Sequence, residues 1–358
     1  MWAVGVLSTA TLLGSALATL AVGAWGHRYP PRALLLGAAA LMAGTGVAFA
    51  GFESFWPLAV VAFVGTLNPS SGDVSVFLPL EHARLASAAA GERRTVAFAR
   101  YSLAGALAAA CGALAAALPA WAARRASVSM LDALRAMFVA YALAGLAIAW
   151  LYRMLPSGAA VEAAPRAALG VSRVIVVRLA ALFSVDAFAG GLIVNSLLSL
   201  WLMQRFGMSI AGVGALFFAT GVLAAVSMLA APKVAERIGL LNTMVFTHIP
   251  ANACLIGAAL APGLELAIPL LLVRALLAQM DVPTRSAYVM GVVTPPERAA
   301  AASFTAVPRS LAAAIAPSLA AAWFASGWIA APLLAAGALK IAYDLALWRA
   351  CRKVELRA

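Results

Sequence analysis

Val4-Gly5-Val6-Leu7, near the start of the chain, is nearly repeated as Val213-Gly214-Ala215-Leu216, at an offset of 209 residues (213 − 4). The register holds outward from these four residues. Thr11 falls on Thr220, Leu20 on Leu229, Ala21 on Ala230 and Arg28 on Arg237. At a near-equal offset of 208 (281 − 73), Asp73-Val74 falls on Asp281-Val282. Arg100, before Ser102-Leu103-Ala104, parallels Arg309, before Ser310-Leu311-Ala312. Chance matching in an Ala/Leu-rich sequence explains apolar coincidences, but not charged residues recurring in one register. The chain reads as two related halves.

What fills those halves follows from composition. Hydrophobic residues make up 65% of the 358 and charged residues 11%, against roughly 25% charged in a typical soluble domain. So few charges cannot clothe a water-facing surface of this size, whereas lipid can cover the apolar remainder. Crossing the hydrocarbon takes roughly 20 consecutive apolar residues, and the backbone within it must satisfy its own hydrogen bonds, as a helix or a closed barrel. The apolar runs are too long and too Ala/Leu-rich for barrel strands of about ten alternating residues. The expected fold is therefore an all-α membrane protein of about eleven spans. These lie near 3–25, 33–52, 55–80, 95–118 and 131–152, then 176–203, 209–232, 239–261, 266–290, 299–324 and 327–348.

Charge then orients the chain. The formal charge of +12 reads as cytoplasmic loop anchoring, with no nucleic-acid partner. Alternate connections carry Arg28, Arg32, Arg84, Arg93, Arg94, Arg153, Arg166, Arg173, Arg178, Lys233, Arg237, Arg285 and Arg298, with Arg349, Arg352, Lys353 and Arg357 in the tail. The other set carries Arg124, Arg125, Arg135 and Arg205. The first set, and with it the C-terminus, is expected in the cytoplasm of a multi-pass cell-membrane protein, a bacterial inner membrane being the natural setting. Residues 1–155 form one bundle, 156–173 a polar cytoplasmic linker and 174–358 a second bundle. The second half opens with a span before its Val213 segment, but no span precedes the Val4 segment. By symmetry the first half is expected to lack its first helix, and a start assigned too far downstream is the simplest cause.

The loop after the first span, Gly23-Ala24-Trp25-Gly26-His27-Arg28-Tyr29-Pro30-Pro31-Arg32, carries a more specific signal. It resembles the signature G-x-x-x-D-R-x-G-R-K/R of the major facilitator superfamily of transporters. Gly23, Arg28 and Arg32 match; His27 replaces the acid, and Pro30 and Pro31 replace Gly and Arg. A second degenerate copy, Pro232 to Leu241, keeps Glu236-Arg237-Ile238-Gly239. An Arg in such a loop bonds carbonyls at a helix C-terminus, and an acid faces a helix N-terminus. The resemblance implies a two-bundle architecture (5 + 6 helices here) that moves a small solute by alternating access. It also implies gating roles for Arg28, Glu236 and Arg237.

Ionisable residues inside the spans are the site candidates, because a charge in lipid is costly and must face a cavity or a partner. Asp73 lies in Asn68-Pro69-Ser70-Ser71-Gly72-Asp73, on what the resemblance makes the fourth helix, with Arg100 as an ion-pair partner. Asp281 is its counterpart on the tenth, with Arg309 or Arg285 beside it. Two such acid–Arg couples suit a gate whose charges exchange as the halves rock. Asp186, on the family's seventh helix, has no basic neighbour in sequence, and burial would raise its pKa toward a proton-binding range. Asn195 falls on the opposite face, unless Gly190-Gly191 distorts the helix. Arg274, within the apolar run Leu270 to Leu277, either attracts an anionic solute or snorkels outward. Lys340 and Asp344, four apart, are expected to neutralise each other. His82 and His248 read as interfacial. Cys111, Cys254 and Cys351 are scattered and pack as small hydrophobes. No nucleophile–base set or metal-ligand spacing emerges, so an enzyme, a cofactor and a metal are not expected. A monomer in the bilayer, with a small-molecule solute and protons as partners, is the leading expectation. The alternatives are an uncoupled facilitator and a truncated or non-transporting receptor.

Overall fold

The computed structural model describes residues 2–67, 77, 80, 81, 85, 92–155, 170–294 and 297–354. Among the described residues the regular elements are helices, and ten segments are long and apolar enough to cross a membrane. Large apolar side chains stay exposed on them, Val47, Leu143 and Ile315 among them. Such an outer surface is at home in lipid. The chain divides into two compact units, Met1–Ala164 and Pro165–Ala358.

In the first unit α1 (Trp2–Trp25) passes through a single 3-10 turn, Gly26–Arg28, into α2 (Pro31–Gly51). Pro31 takes the first helical position, where its missing N–H costs nothing. Next come α3 (Phe55–Val64), α4 (Glu92–Ala115), α5 (Leu118–Ala126) and α6 (Met130–Arg153). Helix α2 packs along α6, and α1 along α3. A Cβ on Gly46 would lie 2.6 Å from the Phe138 carbonyl oxygen, and one on Gly145 would lie 2.8 Å from the Ala43 nitrogen. These are backbone-to-backbone contacts of the kind that holds helices together in lipid. At the start of α6, Ser129 accepts the Asp132 N–H at 3.1 Å and caps the helix. Helix α5 occupies a stretch that hydropathy leaves as a loop. Pro119 stands in its first turn, where proline is tolerated. Of the expected span 55–80, α3 ends at Val64, and Asp73 lies outside the described residues.

The second unit contains α7 (Arg173–Gly191), α8 (Asn195–Phe206), α9 (Ile210–Ile238), α10 (Leu240–Leu260), α11 (Leu264–Ala278), α12 (Asp281–Val292), α13 (Arg298–Ala325) and α14 (Ala331–Cys351). Two spans that hydropathy reads as continuous are broken. Between α7 and α8 the Ile193 N–H turns back to the Gly190 carbonyl at 3.1 Å, and Val194 is extended. Gly191 is needed there, because a Cβ would lie 2.4 Å from the Ala313 carbonyl oxygen of α13. The second break, at Gln279–Met280, precedes Pro283, whose missing N–H fits the first turn of α12. Helix α7 packs mainly on α13, and α10 packs on α14 and α11. Their shared core joins Leu179 and Phe183 of α7, Met244 of α10, Tyr288 and Val292 of α12, and Tyr343 and Leu347 of α14.

Candidate functional site

Six ionisable side chains meet inside the second unit, each under a tenth exposed: Asp186, His248, Asp281, Arg285, Lys340 and Asp344. They come from α7, α10, α12 and α14. Asp186 sits on the buried face of α7, one turn beyond Phe183. Its Oδ1 accepts from Lys340 Nζ at 2.5 Å, and its Oδ2 accepts from Arg285 Nη1 at 3.3 Å. Gly190, one turn further on, lies beside the lysine, and a Cβ there would sit in ordinary contact 3.8 Å from that Nζ. Arg285 also donates to Asp281 one turn earlier on α12. Its guanidinium rests 5.5 Å above the Phe183 ring, an additional cation–π contact.

The second part of the network is a histidine–carboxylate couple. His248 Nδ1 lies 3.0 Å from both oxygens of Asp344. The Tyr343 ring stands edge-on to His248 and to Phe183, with centroids 6.4 Å away in each case, and so bridges the two parts. The Tyr343 hydroxyl is buried and has no hydrogen-bond partner among the described residues. Three carboxylates thus face two permanent cations and one imidazole. With His248 neutral and every carboxylate ionised the set carries a net negative charge; one added proton makes it neutral. In a low-dielectric interior that difference matters, because an uncompensated charge there is expensive.

A family profile described as Major Facilitator Superfamily matches residues 3–280. The chain belongs to the Major Facilitator Superfamily. Solved structures agree on the fold. A D-xylose–proton symporter superposes with a TM-score of 0.74 at 16% identity, covering 97% of this chain and 87% of that one. A bacterial homologue of the human lysosomal transporter Spinster, inward-facing and unoccupied, gives 0.67 at 14%, covering 98% and 88%. A human organic anion transporter gives 0.64 at 18%, covering 96% and 83%. No curated protein sequence matches.

Within this Major Facilitator Superfamily fold several residues sit elsewhere than their sequence suggests. Asp186, without a basic neighbour in sequence, is held by two basic residues from other helices. Lys340 binds Asp186 instead of neutralising Asp344, and His248 is buried at mid-helix, not at an interface. Arg285, counted with the loop cations, is buried in α12 and pairs with Asp281. Asn195 is exposed at the start of α8, beyond the break that follows Gly191. Arg28, Arg100, Glu236 and Arg237 are exposed, and Arg309 is half-buried on α13. The partner expected for Arg100, Asp73, is outside the described residues.

Two acidic residues that the sequence left without a role are also held. In the first unit, Glu81 accepts from the hydroxyls of Tyr101 and Tyr152. In the second, Glu297 is 6% exposed just ahead of α13. It accepts from the Gly170 N–H, from Ser172 Oγ at 2.6 Å and from the Thr294 hydroxyl. Ser172 is the N-cap of α7, so the carboxylate faces the positive end of that helix. The Ser172 and Thr294 hydroxyls, followed by the backbone N–H groups, hold its pKa down to about 2. A carboxylate depressed from its ordinary value near 4.5 stabilises the fold above that value and loses the contribution as pH falls toward 2. Glu297→Ala is therefore expected to lower Tm in detergent at pH 6–7, with the gap to the native chain closing between about pH 4.5 and 3. A gap that stays constant down to pH 3 would show that the bonds to the ionised form do not contribute.

Proposed function

We propose that this protein is a secondary active transporter that moves a small solute by alternating access and couples the movement to protons. The family supplies the first part. The observation that supports coupling is the odd charge of the buried network: three carboxylates, two fixed cations and one imidazole. A purely structural ion network needs no titratable member, and the simplest device would be matched pairs. Here one group of the six is an imidazole, a side chain suited to relaying a proton through its two ring nitrogens. Its bond to Asp344 gives a bound proton two places to reside. The distribution of Lys and Arg supports a cytoplasmic C-terminus in a bacterial-type cell membrane.

Purified protein in liposomes loaded with a pH-sensitive dye tests this without a known solute. Sugars, nucleosides, amines and carboxylates would be added one class at a time, and a coupled solute would shift lumenal pH in a protein-dependent manner. An imposed proton gradient would then drive accumulation of that solute above equilibrium, and a protonophore would abolish it. Solute flux that equilibrates without any pH change would leave an uncoupled facilitator. No flux in any class would leave a receptor-like member of the family.

A further inference from the structure

Arg274 is a cation within an apolar span that the ion network does not absorb. On α11 the buried positions are Ala267, Leu271 and Ala275, whereas Leu266 and Val273 are 49% and 45% exposed. At 100° per residue Arg274 falls at the edge of the buried arc, about 20° beyond Ala267 and about 80° from exposed Leu266. From that edge the side chain turns inward, since its Nε is buried. Its neighbour across the helix pair is fixed by register. Gly257 of α10 meets Leu270, with a Cβ placed 3.2 Å from Leu270 Cδ1. One turn along this antiparallel pair Cys254 falls opposite Arg274 in register, near enough for the two groups to interact electrostatically.

No carboxylate does. Arg274 Nε is buried without a hydrogen-bond partner, and among the described residues no acid lies within ion-pair distance of the group. Arg285, on the next helix, shows the contrast, with two carboxylates and a ring around it. Arg274 is nevertheless not sealed, because the residue as a whole is half-buried. A guanidinium presents a planar fork of donors that matches carboxylate, sulfonate or phosphate oxygens. Holding that fork in an apolar interior without a counterion is costly, and an arriving anion removes the cost.

We infer that Arg274 is the anchor of an anion-binding site between α10 and α11, and that the solute is a small organic anion. The inference rests on the transporter reading for the word solute, though not for the site. Cys254 provides the reporter. Purified full-length protein would be alkylated with N-ethylmaleimide, and modification of the Cys254 peptide followed by mass spectrometry. The probes would be isosteric pairs: benzoate and benzamide, benzenesulfonate and benzenesulfonamide, glycerol phosphate and glycerol.

The expected result is that at least one anion slows Cys254 alkylation about threefold or more while its uncharged twin has no effect. Arg274→Gln should abolish the protection without raising the unprotected rate. Arg274→Lys, which keeps the charge and loses the fork, should raise the half-protecting concentration about tenfold. Because Gln removes an unpaired buried charge, that variant should fold at least as stably as the native chain. Should it not fold, the Lys variant carries the test. Protection by both twins, protection that survives Arg274→Gln, or no protection by any anion would each overturn the site. Liposome flux separates the two readings. A protecting anion that is not carried leaves the site standing and removes transport. An uncharged solute carried unchanged by Arg274→Gln leaves transport standing and removes the anionic solute.

Discussion

Lys340→Met is expected to be among the most damaging single substitutions in this chain, costing about 3–5 kcal/mol of stability. The lysine is 8% exposed, and its Nζ is one of two cations holding Asp186. Without it, Asp186 and Asp281 must share Arg285 alone, and a buried carboxylate is left under-compensated. Replacing both ends of the pair is predicted to be far milder, because Asp186→Asn removes the charge that Lys340→Met strands. Melting curves in detergent of the two single variants and the double variant form the required cycle, with a coupling energy of roughly 1–3 kcal/mol. If Lys340→Met melted with the native chain, or the double variant fell by the sum of the singles, the pair would not be structural.

His248→Gln and Asp344→Asn are expected to have the opposite signature, with modest effects on stability and a large one on energetics. Each substitution removes one of the two places where the extra proton resides. Proton-driven accumulation should fall at least about tenfold in either variant, equivalent to roughly 1.4 kcal/mol of driving force. Solute exchange without a gradient needs no net proton movement and should survive. Proteoliposome accumulation and counterflow, measured side by side, distinguish the two. Accumulation that survived in both variants would move the proton away from this couple. Asp186 would then return as the candidate carrier, despite its two cations.

Much of the architecture was legible in the sequence because lipid imposes a simple rule. A span must be long, apolar and internally bonded, and each half of this chain repeats that plan in register. The breaks at Leu192–Val194 and Gln279–Met280 were harder to read, since both lie inside continuous apolar runs. Gly190-Gly191 and Pro283 marked them, but hydropathy averages over single residues. The charged residues were legible as a set and not as pairs. Lys340 and Asp344 share one helix, so the local i, i+4 rule coupled them. In the fold, side chains 40° apart on α14 reach different neighbours, Asp186 on α7 and His248 on α10. Partners 154 and 96 positions apart in the chain leave no local pattern. His248 was misread for a related reason. The polar flank Thr247, Pro250 and Asn252 resembles a membrane boundary, yet those groups are satisfied within α10, where Asn252 Nδ2 donates to the His248 carbonyl at 2.9 Å. Glu297 offered no signal beyond its place after two prolines, because two of its donors, Gly170 and Ser172, come from the far side of a long stretch of chain.

The 154 positions between Asp186 and Lys340 also set a timetable for biogenesis. A ribosome adding about 5–20 residues per second takes roughly 8–30 s to cover that distance. Throughout this interval α7 has left the translation channel with an acid whose lysine does not yet exist, and α12 delivers Arg285 only part-way through. The insertion machinery must shelter the early helix until the last one is released. Nascent chains arrested before Lys340 are accordingly expected to remain bound to that machinery or to be degraded, whereas chains arrested after Asp344 should leave it folded.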